Sequence, residues 1–213
     1  MYDFLVNNYK NFCKTFNIPS TPSILGSGQF GTAYDIGGNR VLKITKDETE
    51  ANTSSYLVKR KLKYTWNVDY VGYVDKDVNF YVIIGEKLSK LSKDEEMMLE
   101  ILIDALFDQG TYSPSVTVFA NINQLKDYIY GSIESGFEYD KKLHLKFTGY
   151  NIESPKINWL FAALKELMNS GIVWADLHHE NVMKNSNIYK FIDLGFESKA
   201  PEMDIKRIEG RKL

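Results

Sequence analysis

Apolar residues fall at helical spacing at the start of the chain, where Phe4, Leu5, Tyr9, Phe12 and Phe16 share one face and Pro19 ends the pattern. The spacing predicts a helix over residues 3–17 that packs on the lobe following it. From Ile24 to Thr45 the pattern turns to strands, predicted at 24–25, 32–36 and 40–45. Gly37-Gly38-Asn39 separates the last two, and these residues tolerate the positive φ of a tight hairpin. A helix is predicted over about 47–63, with Ala51, Tyr56 and Leu57 inward. Two more strands follow near 70–74 and 80–84, joined by the polar turn Asp75-Lys76-Asp77.

Beyond Leu88 the pattern becomes mainly helical. Ser92 and Glu95 have the spacing of a capping box, ahead of Met97, Met98, Leu99, Ile101, Leu102, Ala105 and Leu106. A second helix is expected over 121–135 and a short strand at 143–147. A third helix starts at Ser154-Pro155, with Gly171 as its C-terminal cap. Short strands at 182–183 and 188–192 flank the turn Asn185-Ser186-Asn187. The expected class is α+β, in two lobes. Residues 1–88 carry about five antiparallel strands and one helix, and residues 89–213 form a small, mainly helical lobe.

Composition narrows the function. The 213 residues are 44% hydrophobic, enough for a packed core, and the formal net charge of −2 gives no reason to expect nucleic acid or an anionic membrane as partner. No apolar run reaches the roughly twenty residues of a membrane helix, and no signal peptide is visible. The single Cys13 excludes an internal disulfide framework. It fits a buried thiol in a reducing cytosol, so a cytoplasmic protein is expected.

Candidate chemistry lies in four places. Gly26-Ser27-Gly28-Gln29-Phe30-Gly31 sits between two predicted strands, where its backbone amides can approach a phosphate and Phe30 at the tip can shield it from water. Lys43, in Val41-Leu-Lys-Ile44, alternates with apolar neighbours and offers a cation to phosphate; its carboxylate partner is Glu50 or Glu48, with Glu50 the better fit to the buried side. Near the end, Asp176-Leu-His-His-Glu-Asn181 is followed by Asp193-Leu-Gly195. Two acidic residues with an Asn between them can hold a divalent metal around a triphosphate and orient a hydroxyl for attack. His178 and His179 lack a companion Cys or third nearby His, which argues against zinc.

In order and spacing these segments resemble the protein-kinase-like superfamily, which spans protein kinases and small-molecule kinases such as aminoglycoside and choline phosphotransferases. The resemblance covers roughly residues 20–197. It implies ATP and Mg²⁺ (or Mn²⁺) as cofactors, Asp176 as the catalytic base, Lys43 and Glu50 as the phosphate-aligning pair, and Asn181 and Asp193 as metal ligands. It further implies that the backbones of Glu86 and Leu88 bond the adenine edge. Gly85 then takes the position that gates a back pocket, which is expected to be open. The implied reaction is transfer of the γ-phosphoryl group to a hydroxyl, of a protein Ser/Thr or alternatively of a small molecule. A nucleotide-binding scaffold without catalysis is the non-enzymatic alternative.

Some residues depart from the family pattern. Trp174-Ala175-Asp176 replaces His-Arg-Asp, removing the arginine that would pair with a phosphorylated activation segment. Ala200-Pro201-Glu202 spells the family's closing motif but follows Asp193 far too soon to end a normal activation segment, so a minimal substrate lobe is expected, with helices between 92 and 135 as an alternative platform.

Overall fold

The structure, a computed structural model, describes residues 1–107, 155–170, 178–193 and 205–209. The chain divides after Leu88 into two compact units, and residues 205–209 go with the first.

In the first unit, five strands pair antiparallel in the order β1-β2-β3-β5-β4. They are β1 (Ser23–Ser27), β2 (Gly31–Gly37), β3 (Arg40–Thr45), β4 (Val68–Asp75) and β5 (Phe80–Glu86). The β2–β3 turn uses left-handed backbone at Gly37, Gly38 and Asn39, with φ of 76°, 59° and 59°. Alternation sorts the side chains. Leu42, Ile44, Phe80, Val82 and Ile84 form one buried face, while Lys43 shares the other with its ladder partners Ala33 and Ile83.

The apolar face is covered by two short helices rather than the single one expected: α1 (Tyr2–Asn8) and α2 (Lys10–Thr15). The break falls at Tyr9, whose φ of −121° is not helical, after two residues of low helix propensity, Asn7 and Asn8. Leu5, Tyr9, Phe12 and Cys13 all reach the core. Phe4 does not; it stays about half exposed, because adjacent helical positions diverge and Leu5 takes the inward direction.

On the other face lies α3 (Glu48–Val58). Asp47 caps it, its carboxylate accepting from the amides of Thr49 (2.8 Å) and Glu50 (3.2 Å). Ala51, Tyr56 and Leu57 are buried as expected. The helix stops short of residue 63, since Lys61 turns left-handed (φ 39°) in a stretch where Leu62 is the single apolar residue among four cations.

The chain's last described residues belong here and not with the second lobe, which corrects the expected division. The Tyr73 amide donates to the Lys206 carbonyl (3.1 Å) and the Ile208 amide to the Tyr73 carbonyl (2.8 Å). β4 is an edge strand with unpaired backbone groups, and the tail satisfies part of that edge. Ile205 buries against Ala51 and Tyr81, and Ile208 joins the opposite face.

The second unit contains α4 (Lys93–Phe107), α5 (Pro155–Ser170), a 3-10 turn (His179–Asn181), and the hairpin β6 (Val182–Asn185) and β7 (Ile188–Phe191). The expected helix over 121–135, the strand at 143–147, and the caps Ser154 and Gly171 lie outside the described residues. The capping box forms as predicted, with the Ser92 amide donating to the Glu95 carboxylate at 2.8 Å. Met98, Leu99, Leu102 and Ile103 are buried, whereas Met97 is only partly so. From α5, Trp159 donates its indole N–H to the Tyr189 carbonyl (2.7 Å) and packs its ring 5.2 Å from that of Phe191. No described helix is long and apolar enough to cross a membrane.

Candidate functional site

The glycine loop bridges β1 and β2. Gly31 is required by space: a Cβ there would meet the Ile44 carbonyl oxygen at 2.5 Å. Gly26 and Gly28 instead face open surroundings, with nothing within 4 Å of an added Cβ. The loop is internally tied, since the Gly28 amide donates to the Gly31 carbonyl (2.9 Å) and the Ser27 and Thr32 hydroxyls meet at 2.9 Å. Phe30 is about half exposed at the tip, while its carbonyl accepts from the Lys46 amide (2.7 Å). Gln29 and Ser27 complete the exposed rim.

One strand away, the Lys43 ammonium forms an ion pair with Glu50 of α3. The lysine side chain keeps 22% exposure and the carboxylate only 8%, so the pair is anchored in the interior and opens outward through the lysine. Glu48 turns elsewhere and accepts a hydrogen bond from Tyr81; burial first, then the charge of Glu48, raises that phenol above its ordinary range. Of the two carboxylates weighed for Lys43, Glu50 is the one that meets it.

At the end of β5 the structure departs from expectation. Gly85 does not front an open pocket: a Cβ there would meet Trp66 ring carbons at 2.7 and 2.8 Å, so the indole fills the space. Trp66 also donates its indole N–H to the Glu86 carbonyl (2.8 Å), and Glu86 exchanges two further bonds with Asn67, amide to carbonyl at 3.0 Å and carboxylate from amide at 2.9 Å. Trp66 carried no signal in the sequence, being a single aromatic between Thr65 and Asn67. Leu88 makes no backbone hydrogen bond among the described residues.

In the second unit, the β6–β7 register pairs Val182 with Phe191, and the Ile192 amide donates to the Asn181 carbonyl (2.8 Å). Asn181 and Asp193 are thereby brought to the open end of one hairpin. Asn181 is buried, and Asp193 is exposed with a left-handed backbone (φ 52°), a conformation Asp adopts more readily than most residues. Their oxygens suit Mg²⁺, which takes one or two protein carboxylates and completes its shell with phosphate and water. Asp176 and Gly195 lie outside the described residues.

Glu95 supports this hairpin from α4. It accepts from Lys184 of β6 (2.7 Å) and from the Tyr189 hydroxyl of β7 (3.0 Å). The Lys184 hydrogen bond and the Ser92 amide hold its carboxyl down to about 2. Burial, then Glu95 itself, pushes the Tyr189 phenol up to about 12.

The two histidines do not converge; their rings are 6.5 Å apart and nearly perpendicular at 82°. Among the described residues no group of three or more His, Cys, Asp or Glu is arranged to hold a metal. Cys13 is buried under the sheet, and burial raises its thiol above the usual range, the opposite of a nucleophile.

No protein-family model matches the sequence, and no curated protein does. Among solved structures, the chain is similar to a thermostable mutant of aminoglycoside phosphotransferase APH(4)-Ia in ternary complex with ADP and hygromycin B, at 15% identity and a TM-score of 0.40, covering 87% of this chain and 70% of that one. It is also similar to APH(2")-IIia in complex with GDP and kanamycin, at 16% identity and a TM-score of 0.39, covering 93% and 74%. Likeness this distant concerns the general course of the chain, not its chemistry.

Proposed function

We propose that the chain is a nucleotide-dependent phosphotransferase that uses ATP and a divalent metal to phosphorylate a hydroxyl, and that the hydroxyl belongs to a small molecule. The observation that carries the first part is the Lys43–Glu50 ion pair. A strand lysine held by a carboxylate that is itself almost wholly buried, beside a glycine hairpin with two unobstructed glycines, is suited to aligning phosphates. In this reading Asn181 and Asp193 hold Mg²⁺, which neutralises charge on the phosphate oxygens. Asp176 then orients the acceptor hydroxyl and accepts its proton.

Chain length between fixed points supports this choice of acceptor. A protein kinase builds its peptide platform from the activation segment after the metal-binding aspartate. Here only residues 194–204 separate Asp193 from Ile205, where the tail enters its pairing with β4. That span is too short for such a segment. Small-molecule transfer is therefore preferred to the Ser/Thr protein acceptor expected from the loop and Phe30.

The test is incubation of the full chain with γ-labelled ATP and Mg²⁺, against a metabolite pool and, separately, lysate proteins. Label should appear in the small-molecule fraction and disappear in Asp176→Ala and Asp193→Ala. Labelled protein alone would reverse the acceptor assignment. Nucleotide binding without transfer to either pool would leave a scaffold and defeat the proposal.

A further inference from the structure

The end of β5 carries an arrangement that bears on which base the nucleotide has. Residues paired across a ladder point to the same side. Lys43 pairs with Ile83 and Val41 with Gly85, so Gly85 and the Trp66 ring against it lie on the face that presents Lys43. Two residues of strand separate the rows, roughly 7 Å, so the indole sits on the nucleotide face at one side of the phosphate-aligning lysine. A planar base reaching this end of the strand would bond backbone groups that have left the ladder.

Most of those groups are taken. The Glu86 amide donates to the Asn67 carbonyl (3.0 Å), and the Glu86 carbonyl accepts the Trp66 indole N–H (2.8 Å). The Lys87 amide donates to the Asn39 carbonyl (2.8 Å), and its ammonium pairs with Asp35 of β2. The carbonyl of Glu86 has a second lone pair, but the indole that donates to it also packs against the neighbouring Gly85. Leu88 remains, with amide and carbonyl engaged by no described residue.

We infer that Trp66 is a specificity-determining residue for the nucleobase: its indole N–H occupies the acceptor that a 6-amino group would use, so the chain binds purine nucleotides through Leu88 without reading the 6-position. This rests on the proposed reading of the Lys43 face as a nucleotide site, with the backbones of Glu86 and Leu88 at the base edge as the resemblance implies. A carbonyl already supplied with a donor gains less from a second one than a carbonyl stripped of its donor gains from any that arrives.

The experiment compares binding of Mg-ATP and of the Mg complex of purine riboside 5′-triphosphate, which lacks only the 6-amino group. The full-length wild type should bind the two within about twofold. Trp66→Phe, which removes the N–H and shrinks the ring, should restore a preference for ATP of roughly three- to tenfold. Wild-type protein binding ATP tenfold or more tightly than the analogue would overturn the inference while leaving the nucleotide site intact. If the folded wild type binds neither, the phosphotransferase reading falls as well. Should Trp66→Phe fail to fold, the wild-type comparison still decides.

Discussion

Replacing Lys43 by Met separates two consequences of its pairing with Glu50. Breaking a buried ion pair from one side leaves a desolvated charge and costs about 3–5 kcal/mol. Glu50 satisfies the premise, with 8% of its side chain exposed, but the lysine keeps 22% and some water reaches the pair. The expected loss for Lys43→Met is therefore nearer about 2–3 kcal/mol. Removing both charges together, as Lys43→Met with Glu50→Leu, takes away the stranded carboxylate and should return most of that stability, since apolar replacement of a buried pair is often close to neutral. Binding of Mg-ATP should not return, because the phosphates have lost their cation.

Urea unfolding of the wild type, both single variants and the double variant gives the coupling energy directly. Nucleotide titration of the same four proteins gives the functional arm. A double variant as unstable as the worse single variant would show that the cost is lost packing and not a stranded charge. A Lys43→Met protein that binds Mg-ATP like the wild type would remove the lysine from the mechanism.

The hairpin bearing Asn181 and Asp193 should respond to pH through Glu95, whose carboxyl is held at about 2 against a usual 4.5 by Lys184 and then Ser92. A depressed folded value stabilises above the unfolded one and is lost as pH falls, so Glu95→Gln should cost on the order of 2–3 kcal/mol at pH 7 and little near pH 2. Unfolding curves at both values check this, and an equal loss at both would contradict the assignment. At the glycine loop, Gly31→Ala forces a Cβ onto the Ile44 carbonyl at 2.5 Å and should destabilise by roughly 1–3 kcal/mol. Gly28→Ala, with open space around it, should leave the melting temperature nearly unchanged and weaken nucleotide binding; the reverse pattern would argue against a phosphate role for this loop.

What the sequence disclosed here was local. The Gly37-Gly38-Asn39 turn, the Ser92–Glu95 box and the alternation around Lys43 are each decided by residues a few positions apart, and each forms as written. The features that escaped depend on distant partners. Trp66 precedes β4 without any period, and its significance comes only from Gly85 and Glu86 on the neighbouring strand. The tail spells Ile205-Lys206-Arg207-Ile208, a charged stretch with two apolar residues three apart. Its pairing was decided by the unsatisfied edge of β4, which no local pattern in the tail announces.

That edge pairing also bears on how Glu50 is held. Contacts at its start and along its buried side fix α3. Asp47 caps its first turn, Ala51 is fully buried, and Ile205 from the tail packs on that same alanine, the residue following Glu50. A helix restrained at its start and along its buried side has little freedom to rotate the carboxylate away from Lys43. The Lys43–Glu50 pairing is thus a feature of the first unit set by packing, to which the tail contributes through Ile205.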